Sequence, residues 1–502
     1  MAQGVHVVEG NTREAIQLVI DRASGEGGGV VFLPARLGPT GPIPYTLDGA
    51  IELKSNVSLI GAGDQTVLRM EDGLSDASNV NFIELVGETG KGIHDIKISN
   101  LAIEGPGASK DLSQGASAEA RQGCGILALD QPVHNVVVEA CRIENVSGCG
   151  IYFRTTTGDP TKNVTIRDCR LLQNRVPSED KDPNSYKDIF FNARFFENIC
   201  VEGNVCSFTP NGTSTYGNDS GISFVITSGK GYVRNARFVG NVCSGHRRHG
   251  LITSYAEMEN DGVFVSNNRC ENNGWVGIYV NTKDKFNQNA GLVIQGNICN
   301  YNGFRGFLNP QRTDGTIRAG IVLIEPHHAI ISNNICMNNG QPGGDFVDKV
   351  TIDAAATNAS GIRIRGKEVI VEGNLVKGNE DSGVVMWPGL VSRVSIVNNR
   401  ALQNGKHGVE VAGVPGGKAK QVVVTGNMCA DNGGNGIRVS ATDGALVASN
   451  YVSNNGGLGI ELDGRTENVS VDGNFVRAKD GQSAIKMGTG RNFKGANQPP
   501  TG

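Results

Sequence analysis

The chain has 502 residues, 38 % of them hydrophobic, and 46 basic against 50 acidic side chains give it a formal charge of -4. That balance argues against a general nucleic-acid binder, and no run approaches the ~20 apolar residues of a membrane span. Glycine, at 70, and asparagine, at 49, are strongly enriched, while only 17 prolines and no Gly-X-Y period exclude collagen-like and proline-rich chains. What remains is a folded protein that turns very often, which points to a repeat architecture.

The start, MAQGVHVVEGN, has neither a basic n-region nor an apolar h-region, so no signal peptide is visible. Residues 12–23, TREAIQLVIDRA, place Ala15, Ile16, Val19, Ile20 and Ala23 on one helical face, with Asn11 or Thr12 as N-cap. A short amphipathic helix there would cover the open apolar end of a solenoid. It is followed by SGEGGGVVFLPA and then YTLDGAIELKSNVSLIGAGDQTVLRM.

Beyond these, two registers recur. Short alternating apolar runs lead into Asn204, Asn241, Asn268, Asn297, Asn334, Asn374, Asn399, Asn427, Asn450 and Asn474, with Cys141 and Cys169 in the same slot earlier. Nine residues beyond the slot comes a glycine followed by an apolar residue, as at Gly150, Gly250, Gly277, Gly306, Gly383, Gly408, Gly436 and Gly459. All the runs are too short for helices and alternate with period two. A coil of ~25 residues with three short strands is one rung of a parallel β-helix, burying its inward face only against its neighbours. Stacked asparagines can then form hydrogen-bonded ladders at the corners. Cys206, Cys243, Cys270, Cys299, Cys336 and Cys429 each follow such an Asn by two residues, which predicts a column of buried thiols rather than a disulfide framework. The expected fold is all-β: a right-handed, single-stranded parallel β-helix over residues 1–490 as one domain, with a helical N-terminal cap and a flexible tail at 491–502. About 15 rungs at ~4.8 Å would make a rod of roughly 70 Å.

The order helix, GGGxVxLPx, IxLxSNVxLxGxGxxTxL over residues 12–70 resembles the start of the pectate-lyase-like superfamily of right-handed β-helix proteins. The resemblance implies right-handed coiling and recognition or cleavage of polysaccharide in a groove on one face. The reaction stays open, because that scaffold serves lyases, hydrolases, uronate epimerases, fructan transferases and phage tailspikes.

Extra residues cluster at one stage of the rung, at 176–190, 208–219, 307–319 and 343–360, and insertions on one face commonly mark a binding face. The middle rungs, roughly 150–390, are therefore the expected site. Four features stand out there: GHRRHG with His246, Arg247, Arg248 and His249; SYAEME with Tyr255, Glu257 and Glu259; NTKDK with Lys283 and Lys285; and IEPHH with Glu325, His327 and His328. The last resembles the Asp-Pro-His motif of mannuronan C5-epimerases, with Glu325 in place of the aspartate. No pair of adjacent aspartates with a downstream Gly-His-Gly, as in polygalacturonases, is found.

For a uronate polymer, both β-elimination and C5 epimerisation begin with removal of the proton α to the carboxylate. That step needs cations against the developing charge and a base with a pKa near neutrality. Expected catalytic residues are His246, His249, Tyr255, Glu257, Glu325 and His327. Expected substrate contacts are Arg154, Asp219, Arg247, Arg248, Tyr279, Lys283, Lys285, Arg363, Arg365 and Trp387. Two alternatives stand: a glycoside hydrolase or transglycosylase using paired carboxylates on a neutral glycan, and a non-enzymatic tailspike-like glycan binder. No cofactor is predicted, with Ca2+ admitted as an option and metal ligands unknown. The expected partner is a polysaccharide or oligosaccharide, not nucleic acid or membrane, with oligomerisation open. The substrate class favours a secreted or extracellular location.

Overall fold

The computed structural model describes residues 4–71, 80–88, 91–106, 123–156, 158–174, 187–209, 219–226, 231–255, 258–282, 290–304, 317–344, 358–387, 391–413, 417–479 and 484–497. The chain forms two compact units, Met1–Arg247 and Arg248–Gly502. Each is a stack of rungs whose described strands line up in three parallel columns, with only an isolated bridge at Ile298 in the third column of one rung.

In the first unit the helix Arg13–Gly25 buries Ile16, Ile20 and Ala23, as its periodicity predicts, and the Thr12 hydroxyl accepts from the Ala15 N–H at 3.3 Å. Strands Ile126–Leu129, Ile151–Thr155, Lys187–Ala193 and Ser220–Ile226 pair in parallel, with Ile126, Ile151, Ile189 and Ile222 in one inward column. A second sheet joins Val133–Glu139, Thr161–Arg167, Phe195–Glu202 and Gly231–Val239, and a third joins Arg142–Glu144, Arg170–Leu172, Val205–Ser207 and Val242–Ser244. The second unit repeats the plan. Its first sheet runs from His249–Tyr255 through Val276–Asn281, Ala319–Ser332, Ser360–Glu372, Val384–Met386, Val409–Ala412 and Ile437–Ser440 to Ile460–Leu462. The fold is an all-β right-handed parallel β-helix with one N-terminal helix.

The corners explain the composition. In the second unit the predicted ladder runs through Asn268, Asn297, Asn334, Asn374, Asn399, Asn427, Asn450 and Asn474. The Asn399 Oδ1 accepts from the Asn374 N–H at 3.0 Å and the Asn374 Nδ2 at 2.9 Å, and the Asn399 Nδ2 donates to the Val371 carbonyl at 2.9 Å. A second ladder, absent from the expectation above, runs five residues further on through Asn273, Asn302, Asn339, Asn379, Asn404, Asn432 and Asn455. The glycine slot is equally constrained: a Cβ on Gly408 would lie 2.7 Å from the Gly436 carbonyl oxygen and 2.9 Å from the Cys429 Cβ. None of the 11 cysteines is in a disulfide, and all but Cys200 are buried.

One boundary moves. The expected tail begins at 491, yet Phe493–Lys494 pairs with the strand Glu467–Asp472, and Asn497 accepts from Asn474 Nδ2 at 2.9 Å. The stack therefore continues past 490, because the ladder pattern NFKGAN is still present there.

Asn399→Ala should cost about 3 kcal/mol, since it removes the acceptor of two buried donors and the donor shared by the Val371 and Val397 carbonyls and the Asn427 Oδ1. Thermal denaturation should show a midpoint several degrees lower. An unchanged midpoint would mean that the ladder adds nothing to stability.

Candidate functional site

The first sheet of the second unit presents an outward row in register: Ile252, Tyr279, Val322, Arg363, Val385, Glu410, Arg438, Glu461 and Lys486. Two residues along each strand lies a second row, with Asn281, Ile324 and Arg365. Trp387 follows Met386 on the next strand, and its N–H donates to the Ile364 carbonyl at 2.7 Å. Side chains distant in sequence become neighbours here because adjacent strands lie only ~4.8 Å apart.

At one end of the row His249 stacks on Tyr279, ring centroids 5.0 Å apart, and meets Trp275 edge-on at 5.5 Å. The Arg248 guanidinium lies 4.5 Å from the Trp275 ring centroid. Asn281 Nδ2 donates to the Tyr279 hydroxyl at 3.3 Å. Burial raises the Tyr279 phenol above its ordinary value, against the opposing Asn281 hydrogen bond, so Tyr279 is a neutral donor near pH 7.

Just past Ile324, at a bulge in the strand Ala319–Ser332, lies Glu325-Pro326-His327. Glu325 has φ 55°, left-handed for a residue that directly precedes proline. Its carbonyl accepts from the Thr282 hydroxyl at 2.7 Å, and its carboxylate lies 3.2 Å from Arg365. Pro326 packs on Gly366, where an added Cβ would meet the proline Cδ at 2.6 Å and its carbonyl oxygen at 2.7 Å. His327 is buried and stands in register with Lys367; the exposed His328 pairs instead with Glu368 at 2.7 Å. The two histidines thus diverge, as an extended segment requires.

Next comes Arg363, 5.2 Å from the Trp387 ring centroid and 3.1 Å from the Asp381 carboxylate, which also holds Lys406 at 2.9 Å. Burial lowers the Arg363 pKa, and Asp381 and Glu410 oppose it. Further along, Glu410 pairs with Arg438 at 3.0 Å and Glu461 with Lys486 at 3.0 Å. Burial would raise the Glu461 carboxyl, but hydrogen bonds from Lys486 and Asn435 hold it below the usual range.

The candidates in the first unit fall elsewhere. Arg154 pairs with Asp130 at 3.4 Å, and Asp130, like Glu325, is a left-handed carboxylate directly after a residue in register with an arginine of the next strand. Asp219 is buried against Lys187 at 2.6 Å and accepts from the Ser220 hydroxyl at 3.2 Å. His246 is fully buried, with Nε2 2.9 Å from Asp188 Oδ2, and Asn174 Nδ2 donates to the other carboxylate oxygen at 3.2 Å. His246 therefore belongs to an interior network instead of a solvated turn, and Arg247 is half-buried beside it. Asp188 occupies the glycine slot of its rung and His246 the second-ladder asparagine slot of another. Both departures are visible in the repeat once that second ladder is aligned.

Tyr255 ends the strand His249–Tyr255, but its side chain lies outside the described residues, as do Glu257, Lys283 and Lys285 and most of the inserted segments. Among the described residues no group of three or more His, Cys, Asp or Glu is placed to hold a metal ion, and no helix is long and apolar enough to cross a membrane.

A family model for the right-handed beta helix region matches residues 314–476, the stretch that carries Glu325, His327, Arg363, Arg365 and Trp387. The protein is a right-handed parallel β-helix protein. Alginate lyase 7 of Azotobacter vinelandii is 34 % identical over 156 residues, 31 % of this chain and 17 % of its own length. Mannuronan C5-epimerase AlgE5 of the same organism is 27 % identical over 270 residues, 53 % of this chain and 24 % of its own length. The matched part is thus a minor portion of these relatives. The solved A-module of mannuronan C-5 epimerase AlgE6 from Azotobacter vinelandii aligns over 100 % of this β-helix chain and 98 % of its own, at 18 % identity and a TM-score of 0.45.

Two outcomes test this geometry. Gly366→Ala should push Pro326 off the sheet and cost about 1–3 kcal/mol, read as a lower thermal midpoint together with weaker oligosaccharide binding by calorimetry. An unchanged variant would show that the Pro326–Gly366 contact does not set the segment. Burial lowers the His407 pKa, with Arg438 acting the same way and Glu410 opposing, and its Nδ1 accepts from the Asn435 N–H at 2.9 Å. The unfolded chain then takes up this proton first, so stability is full above the unfolded value of ~6.5 and falls as pH drops below it. Melting curves from pH 7.5 to 5 should show that slope reduced in His407→Gln; an equal slope would remove His407 as a contributor.

Proposed function

We propose that the protein is a polysaccharide-acting enzyme that removes the proton α to a uronate carboxylate, as a lyase or C5-epimerase. The observation that carries this reading is the strained Glu325-Pro326-His327 segment at the bulge of the strand Ala319–Ser332, with Glu325 paired to Arg365 of the adjacent strand. Its relatives point the same way, since their names describe an alginate lyase and mannuronan epimerases.

The roles follow from chemistry. Arg365, already facing one carboxylate, would receive the uronate carboxylate and neutralise the enolate-like charge that builds as the C5–H bond breaks. His327 would take that proton as base, imidazole having an ordinary pKa near neutrality. Tyr279, kept neutral, would donate to the glycosidic oxygen or to the ring. If the C4–O bond then breaks, the products are an unsaturated uronate and a free hydroxyl. If a proton returns to the opposite face of C5, the product is the epimer. Trp387 and the His249–Tyr279 stack offer apolar surface to the sugar faces. The paired-carboxylate alternative has less support, because Asp219 is engaged with Lys187 in the interior.

The test is a panel of uronate polymers with the wild type and the variants His327→Ala, Arg365→Ala and Glu325→Gln. Expected are unsaturated ends, seen by ultraviolet absorbance, or epimerised residues, seen by NMR, and a loss of at least a hundredfold in kcat/KM for His327→Ala. Turnover unaffected by His327→Ala and Arg365→Ala would dismiss the assignment.

A further inference from the structure

The outward face of the second sheet in the second unit carries a ridge unrelated to the catalytic row. Phe264, Val293, Ile330, Ile370, Ser395, Val423, Leu446, Ser470 and Phe493 stand in register, one per rung. Seven of the nine are apolar, and Phe264, Ile330, Ile370, Leu446 and Phe493 are 39 to 65 % exposed. The equivalent column of the first unit reads Lys97, Val137, Thr165, Cys200 and Arg237, so the apolar row is a property of this unit and not of the fold. A largely apolar strip along the outer face of a sheet marks an interaction surface.

The flanking columns say what fits it. Three residues before the ridge on each strand stand Lys367, Ser392, Lys420, Asp443 and Glu467 in consecutive rungs. This column is basic toward one end and acidic toward the other. Two residues after the ridge the column reads Ser332, Glu372, Val397, Thr425, Ala448 and Asp472.

We propose that this face binds a second copy of the chain in an antiparallel, two-fold arrangement with the axis along the strand direction. Such an axis lays each column on itself in reversed rung order. With the axis between the Ser395 and Val423 rungs, Ile370 meets the partner's Leu446, Val293 meets the partner's Phe493, and Lys367 meets the partner's Asp443. Lys420 faces Ser392, and Glu372 faces Ala448, so no like charges oppose one another. An axis along the coil would instead bring Glu467 against Asp472. With that axis eight rungs overlap, and at ~4.8 Å per rung and a strand width of ~20 Å they give a face of about 770 Å2, close to the ~800 Å2 per partner of a standard stable interface. His327 stands in the flanking column one rung before Lys367, but it is buried and presents no exposed surface to the partner.

Sedimentation velocity on the full chain from 0.1 to 50 micromolar tests this, with a mass of twice 52.9 kDa expected at the upper end. Ile370→Asp should give the monomer throughout. Lys367→Glu and Asp443→Lys should each weaken association about tenfold, and the double variant should restore it, because the pair is exchanged across the axis. Circular dichroism melts of these surface variants should match the wild type. A monomer at every concentration, a trimer, or a double variant no better than the single ones would overturn the proposal.

Discussion

In-register lateral stacking is the constraint on which everything else in this molecule depends. Each strand finds its hydrogen-bond partners only in the rungs before and after it, so a residue type that satisfies a corner in one rung must satisfy it in the next. The asparagine ladders are that rule in its strictest form: one side chain caps the backbone of the rung before and is itself capped by the rung after. Burial of the apolar inward columns supplies the driving force, but it is non-directional and could not hold a rung in register alone. The ladders and the close glycine contacts, such as Gly408 on the Gly436 carbonyl, provide the direction.

A scaffold so repetitive leaves chemistry to its departures. The outward rows are free of the stacking rule, and there the sequence varies: aromatic at Tyr279, apolar at Val322, cationic at Arg363 and Arg365. Glu325 departs further, holding a left-handed backbone ahead of a proline outside the regular corners. Thr282, Arg365 and Gly366 each contact that segment and together hold it in place. The first unit departs in the opposite sense, replacing a glycine by Asp188 and a ladder asparagine by His246 and keeping the resulting hydrogen-bonded pair buried. Buried pairs of this kind specify geometry more than they stabilise.

How much of this could be read in the sequence follows from the same logic. Period-two strands, the asparagine slot, the glycine slot, the capping helix and the thiol column are one-dimensional patterns, and all were legible. The second ladder was equally available, five residues beyond the first, but the NG turns that follow it masked its register. The fate of single side chains was less legible. GHRRHG reads as a basic surface turn, yet His246 points inward, because its partner Asp188 lies 58 residues away. Similarly, Glu325 reads as a catalytic candidate together with His327, whereas its carboxylate faces Arg365 on the adjacent strand. Contacts between rungs depend on insertion lengths, and those set which residues meet.

The central claim is that this β-helix performs chemistry at the carbon bearing the uronate carboxylate. Proton NMR of a polyuronate incubated with the protein in deuterium oxide addresses it directly. The claim requires loss of the C5 proton signal, either by exchange for deuterium or by formation of the C4–C5 double bond. New reducing ends with every C5 proton retained would contradict it and establish hydrolysis at the glycosidic carbon instead.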